Sequence, residues 1–235
     1  MSDSHDISIP LEAWAWDPAG LNARQIQLND GRQVIQVRLE LGLLQMEMTG
    51  RPDGTRPQGQ ETWLDVAIKG GDSSLTEDAL QASIRAEILQ LFQRVAAARA
   101  LGIAQLVLHD ADGILKRMDW CHGEGDDAAR IESLRPQALL LRARAGAELA
   151  MAAGRPDAAR KALASGLEDL SQCLPHDQFD ARPEVAALRE MHALLVPRLP
   201  ASQRVELQTR LAEALASENY ELAAILRNEI RQLLD

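Results

Sequence analysis

Ile26 and Leu28 alternate with polar neighbours, Asn29-Asp30-Gly31 interrupts, and Ile35, Val37, Leu39 and Leu41 resume the period of two. Asp-Gly between alternating runs predicts a β-hairpin. The apolar phase then slips by one, to Leu44, Met46 and Met48. Gly42 is the obvious place for a bulge or bend to absorb the slip, which predicts a long, bent second strand. Upstream, Trp14 and Trp16 stand two apart and point the same way in an extended segment, as if covering an edge of an N-terminal core.

Residues 61–69 suit a short helix or strand, and 70–74 suit a flexible joint. From Thr76 the period becomes helical. Thr76 is placed as an N-cap, Glu77 and Asp78 fill the first turn, and Leu80, Ile84, Ile88, Leu91 and Val95 make an apolar face that should stop near Gly102. A second helix over 105–118 is expected to return antiparallel. After an acidic loop at 123–127, a helix from Leu134-Arg135-Pro136 to Ala153 turns at Gly154-Arg155-Pro156-Asp157 and returns over 158–170. Gly154, Ala159 and Gly166-Leu167 sit near the small-residue positions of a tetratricopeptide repeat (TPR), so these helix pairs are expected to be TPR-like. Pro183 and Glu184 open a last body helix through Val196, and Pro197 and Pro200 form a stiff elbow.

Beyond the elbow, residues 202–235 predict two short helices folded into a hairpin. Leu207, Leu211, Ala214 and Leu215 share a stripe on the first, and Leu222, Ala223, Leu226, Ile230 and Leu233 share one on the second. Ser217, Glu218 and Asn219 supply cap-forming residues at the turn, with Ser202 placed to cap the first helix. Glu218 and Glu221 begin the second helix and Arg227 and Arg231 lie toward its end, which suits the helix dipole. A lone hairpin of this size buries too little to be stable in water, so it needs its own body or a partner.

The run from Glu218 through Asn219, Tyr220, Glu221, Leu222, Ala223, Ala224, Ile225, Leu226, Arg227, Asn228, Glu229 and Ile230, closed by Leu233, resembles the UVR motif of the UvrB and UvrC subunits of the bacterial excision nuclease. The match lies in the acid-x-aromatic-Glu start, the Ala-Ala pair, Leu-Arg and the final Ile and Leu; Asn228 departs from the usual Asp. The resemblance implies a helical hairpin that pairs with another hairpin or docks on a partner protein. It does not imply repair activity. Residues 37–57, VRLELGLLQMEMTGRPDGTRP, resemble the N-terminal signature of a group of bacterial proteins that also end in a UVR motif. That likeness names a group and implies no chemistry.

Composition narrows the class. Of 235 residues 46% are hydrophobic and only 3% aromatic, with Ala and Leu dominating, which favours helices. A net charge of −10 and a pI near 5.0 point away from a general nucleic-acid surface. Spaced arginines at 135–144 and 155–161 are the candidates for a local basic patch and are read as solvated faces. Two cysteines, no apolar signal and no membrane-length run make a cytoplasmic setting the simplest expectation.

Candidate chemistry is thin. Cys121-His122 and Cys173 with His176 offer metal-type ligands at poor spacing, so no metal is expected. His109 and Asp112 share a helical face while Asp110 points elsewhere, and the cluster is read as solvated rather than catalytic. The acids at 124–127 lack the spacing of a calcium loop. The Gly50-Arg51-Pro52-Asp53-Gly54 turn lacks the Lys-Ser or Lys-Thr of a nucleotide loop, and Arg51, Asp53 and Arg56 serve either recognition or the turn itself.

The expected architecture is therefore α+β, mostly α: a β-hairpin unit over 1–72, a TPR-like helical body over 73–199 and a UVR-like hairpin over 200–235. The expected function is that of a non-enzymatic adaptor, without cofactor, engaging a protein partner or its own copy. Tyr220, Leu222, Ala223, Ile225, Leu226, Arg227, Ile230 and Leu233 are the contact candidates, Ile225 foremost because it lies just off the main stripe beside Leu222. The alternative is an accessory factor of DNA repair that touches nucleic acid directly, through a basic groove that a linear sequence does not display.

Overall fold

The computed structural model describes residues 7, 11–69, 75–121, 125–195, 201–216, 219, 222 and 224–227, with 201–206 as backbone only. Among them are three strands and eight α-helices, so the chain is α+β and mostly helical. Two compact units divide it, Met1–Leu188 and Arg189–Asp235.

Strands β1 (Ala23–Gln27), β2 (Gln33–Leu39) and β3 (Gly42–Glu47) form an antiparallel sheet in that order. The Asp-Gly turn forms where the alternation puts it. Gly31 takes a φ of 87°, open to a residue without Cβ, and Leu28 N–H bonds Arg32 O at 2.8 Å.

The second strand does not continue through Gly42. It ends at Leu39, which pairs with Gly42 across a two-residue reversal at Glu40 and Leu41. That pairing sets Ile35 opposite Met46 and Val37 opposite Leu44, so odd positions of β2 share a face with even positions of β3. A reversal of this register and a bulge leave the same one-residue slip in the sequence. Glu40-Leu41 carries none of the Gly or Asn that marks a two-residue turn, and Leu41 at the tip is 95% exposed.

Central β2 is buried on both faces, at Val34, Ile35, Gln36 and Val37. Gln36 lies on the face opposite Ile35, Val37 and Met46, within a polar ladder. Its Oε1 accepts from Arg24 Nε and Nη2 at 3.0 and 2.8 Å, and its Nε2 donates to Gln45 Oε1 at 3.0 Å. The Arg24 guanidinium lies 4.2 Å from the Trp14 ring centre and that of Arg38 lies 5.8 Å from Trp16. The two tryptophans thus stand against arginines of the strands rather than against an apolar edge.

Helix α1 (Trp63–Lys69) resolves the ambiguous segment; Thr62 Oγ1 accepts from Asp65 N at 3.1 Å and donates to Asp65 Oδ2. Helix α2 (Glu77–Ala100) is capped by Thr76, which accepts from Ala79 N, and buries Ile84, Ile88, Leu91 and Val95. Gly102, at φ 70°, closes it with N–H bonds back to Arg99 O. Helix α3 (Ala104–Trp120) returns along α2, and α2 also packs on β2.

A short helix, α4 (Asp126–Glu132), begins inside the expected acidic loop. Asp126 and Asp127 occupy its first turn, where carboxylates suit the dipole. Helices α5 (Arg135–Ala152) and α6 (Pro156–Cys173) then pack antiparallel through small residues. A Cβ on Gly166 would stand 2.4 Å from Ala143 Cβ and 3.0 Å from Leu188 Cδ1, and one on Gly146 would meet Ala162 Cβ at 3.6 Å. Close approach through small side chains follows the expectation drawn from Ala159 and Gly166. Helix α7 (Pro183–Leu195) contributes Val185 and Leu188, both fully buried. Helix α8 (Ala201–Ala216) is the first arm of the C-terminal hairpin.

Candidate functional site

Two places concentrate chemistry, one in each compact unit. In the first, charged side chains occupy core positions. Arg94 on α2 meets Asp110 on α3 through two bonds of 2.7 Å, and one heptad along, Glu87 accepts Arg117 Nε and Nη2 at 3.1 and 2.6 Å. Arg94 Nη1 also reaches Glu47 O at 2.8 Å and Gly50 O at 2.9 Å, so one guanidinium joins two helices to the end of β3. Glu87 Oε2 accepts from Trp63 N at 2.9 Å and lies 3.8 Å from Arg51 Nη1.

The Gly50 to Gly54 turn closes this network. Arg51 is buried and paired through Nε and Nη2 with Asp53, whose carboxylate also accepts from Thr55 N, Thr55 Oγ1 and Gln90 Nε2. The Arg51 guanidinium holds the Asp53 carboxyl well below the usual carboxylate range, with the Thr55 and Gln90 donors adding to it against desolvation. Asp53 in turn raises Arg51. Arg51 and Asp53 therefore serve the turn, and of the two arginines weighed for recognition Arg56 is the exposed one.

Asp110 corrects the expectation of a solvated cluster: it is 1% exposed and paired, while His109 on the same helix is exposed. Glu87, Arg94 and Arg117 did not figure among the sequence candidates. Their signal was present, since Glu87 and Arg94 fall among Ile84, Ile88, Leu91 and Val95 at core spacing. A cleft of about 300 Å³ opens beside them, lined by Gly50, Thr62, Asp65, His109, Asp112 and Lys116 as well as the network. Its buried guanidiniums are already engaged by carboxylates and carbonyls, which gives them a structural task. Gly113 belongs to that task, because its Cβ would stand 3.1 Å from Arg117 Nη1, which donates to Gly113 O at 2.8 Å. The thiols of Cys121 and Cys173 are both pushed up, chiefly by burial, which disfavours thiolate.

The second place is the C-terminal hairpin. Ala214 of α8 and Leu226 of the second arm are each 3% exposed and pack together, with Leu207 and Leu211 against them. Asn219 makes the turn: its N–H donates to Ala214 O at 2.8 Å, and its Oδ1 accepts from Leu222 N at 3.2 Å, an N-cap for the second arm. Leu222 is 39% exposed, Ile225 58% and Leu215 48%.

The expected single stripe is thus divided. Leu226 faces inward, whereas Leu222, Ile225 and Arg227 face out. Tyr220, Ala223, Ile230 and Leu233, the other contact candidates, lie outside the described residues.

A family model described as the UvrB/uvrC motif, UVR, matches residues 202–235. No curated protein and no solved structure matches the chain. Among the described residues no helix is long and apolar enough to cross a membrane.

Proposed function

We propose that this chain is a non-enzymatic, cytoplasmic interaction protein whose C-terminal UVR hairpin docks on a partner protein or on a second copy. The observation that carries the proposal is the exposure of Leu222 and Ile225 on an arm whose inner face is already closed by Leu226 against Ala214. Residues 202–235 matching the UVR motif supports it, because such motifs mediate protein interactions. Docking would bury these aliphatic side chains, with Arg227 at the rim fixing register. The small-residue packing of α5 on α6 supports a TPR-like body.

The test is Ile225→Asp in the full chain, with solution mass across a concentration series and capture of partners from bacterial lysate. A folded variant that loses self-association or a captured partner supports the proposal. Unchanged association and capture in a folded variant overturns it.

A further inference from the structure

From the face of the sheet opposite Ile35, Val37 and Met46, we infer a binding surface for single-stranded nucleic acid, independent of the hairpin. Two tryptophans and two arginines assemble there from segments far apart in sequence: Trp14 over Arg24 of β1, and Trp16 beside Arg38 of β2. Arg32, at the same end of the strands as Glu47, is neutralised by Asp30 and Glu47, and the arginines of the core all meet carboxylates. Among the described residues neither Arg24 nor Arg38 has a carboxylate partner. Arg24 is bound by the neutral Gln36 amide, and Arg38 has the Trp16 ring. A chain of net charge −10 therefore leaves two cations uncompensated on one face.

The spacing selects the ligand. Arg24 pairs with Gln36 across the strands, and Arg38 is two residues further along β2 on the same face, so the two cations are rooted at diagonal positions about 7–8 Å apart. That is close to one backbone step of an extended nucleotide strand. Trp16, 41% exposed with its ring centre 5.8 Å from the Arg38 guanidinium, offers a ring on which an unstacked base can lie, while the exposed Gln45 supplies an amide on the same face. A duplex keeps its bases stacked and presents none to the ring. An acidic peptide meets the arginines and leaves the ring unused.

The experiment uses the full chain and a labelled oligothymidylate of about ten nucleotides, within the span of single-strand sites on small β-domains. Anisotropy and tryptophan quenching are followed together. Binding is expected with quenching, and with a log–log salt slope of about −1.4 for two phosphates. Trp16→Ala and Arg38→Gln should each weaken it at least about fivefold, the loss of one stacking or phosphate contact, and Trp16→Phe should retain most of it. Arg38→Gln leaves strand pairing untouched, so the test survives a Trp16→Ala variant that fails to fold. The inference is overturned by no binding up to about 100 µM, the weak end of non-specific association. It is equally overturned by unchanged affinity in Arg38→Gln, or by polyglutamate competing as well as the oligonucleotide.

Discussion

Arg94 and Asp110 meet across α2 and α3 through two parallel bonds of 2.7 Å, with each side chain only 1% exposed. Asp110→Asn keeps the shape and removes the charge, leaving a buried guanidinium uncompensated. The expected cost is about 3–5 kcal/mol in urea unfolding. The double variant Arg94→Met, Asp110→Leu should cost less than the two single changes together, although Glu47 O and Gly50 O still lose their donor. A strictly additive pair would show that the two side chains do not act on one another.

Acid should loosen the turn. Asp53 titrates below the ordinary aspartate value because Arg51 stands against it, so the folded chain binds fewer protons there than the unfolded chain. The stabilisation is complete above about pH 5 and is lost progressively as pH falls below the unfolded value of about 3.9. Urea midpoints compared at neutral pH and near pH 3 should therefore fall less steeply for Asp53→Asn than for the parent. Identical acid limbs would refute the pairing.

Gly166→Ala should act through steric overlap. The new Cβ would stand 2.4 Å from that of Ala143, and neither helix axis yields without disturbing Leu188, which is fully buried. A loss of about 1–3 kcal/mol is expected. Ala143→Gly in the same chain should recover part of it, and a thermal melt resolves the difference.

Leu226→Asp and Ile225→Asp should part company. Leu226 is 3% exposed within the hairpin, so a carboxylate there opens the arm and lowers helical content by circular dichroism. Ile225, 58% exposed, should tolerate the change without loss of helix. Equal losses of helicity would place both side chains on the inner face.

Much of the fold was legible because local signals agreed. Thr76 caps α2 as its position implies, Gly102 and Gly154 close helices at positive φ, and Asp30-Gly31 turns the first hairpin. Gly42 misled because a bulge and a two-residue reversal shift apolar phase identically, and only the Leu39–Gly42 pairing separates them. The Trp–Arg face was not legible, since β1 pairs with β2 before Trp14 and Arg24 acquire a relation to Arg38. Helical phase set Asp110 apart from the His109 and Asp112 face, but its burial was not legible because a carboxylate declares its burial only through its partner, and Arg94 lies on a different helix. In the hairpin, helical spacing put Leu226 on the stripe and Ile225 just off it, and the structure buries the first and exposes the second; what spacing did not separate was Leu222 from Leu226, since only Leu226 reaches Ala214.

Arg94 ends on carbonyls 47 and 44 positions earlier in the chain. The last residues of β3 and the middle of α2 consequently share one donor group, and neither can open without stripping the other of it. Sheet and helix pair should open as a single cooperative unit, with β3 amides exchanging their hydrogens at the same free energy as those of α2 rather than fraying ahead of them.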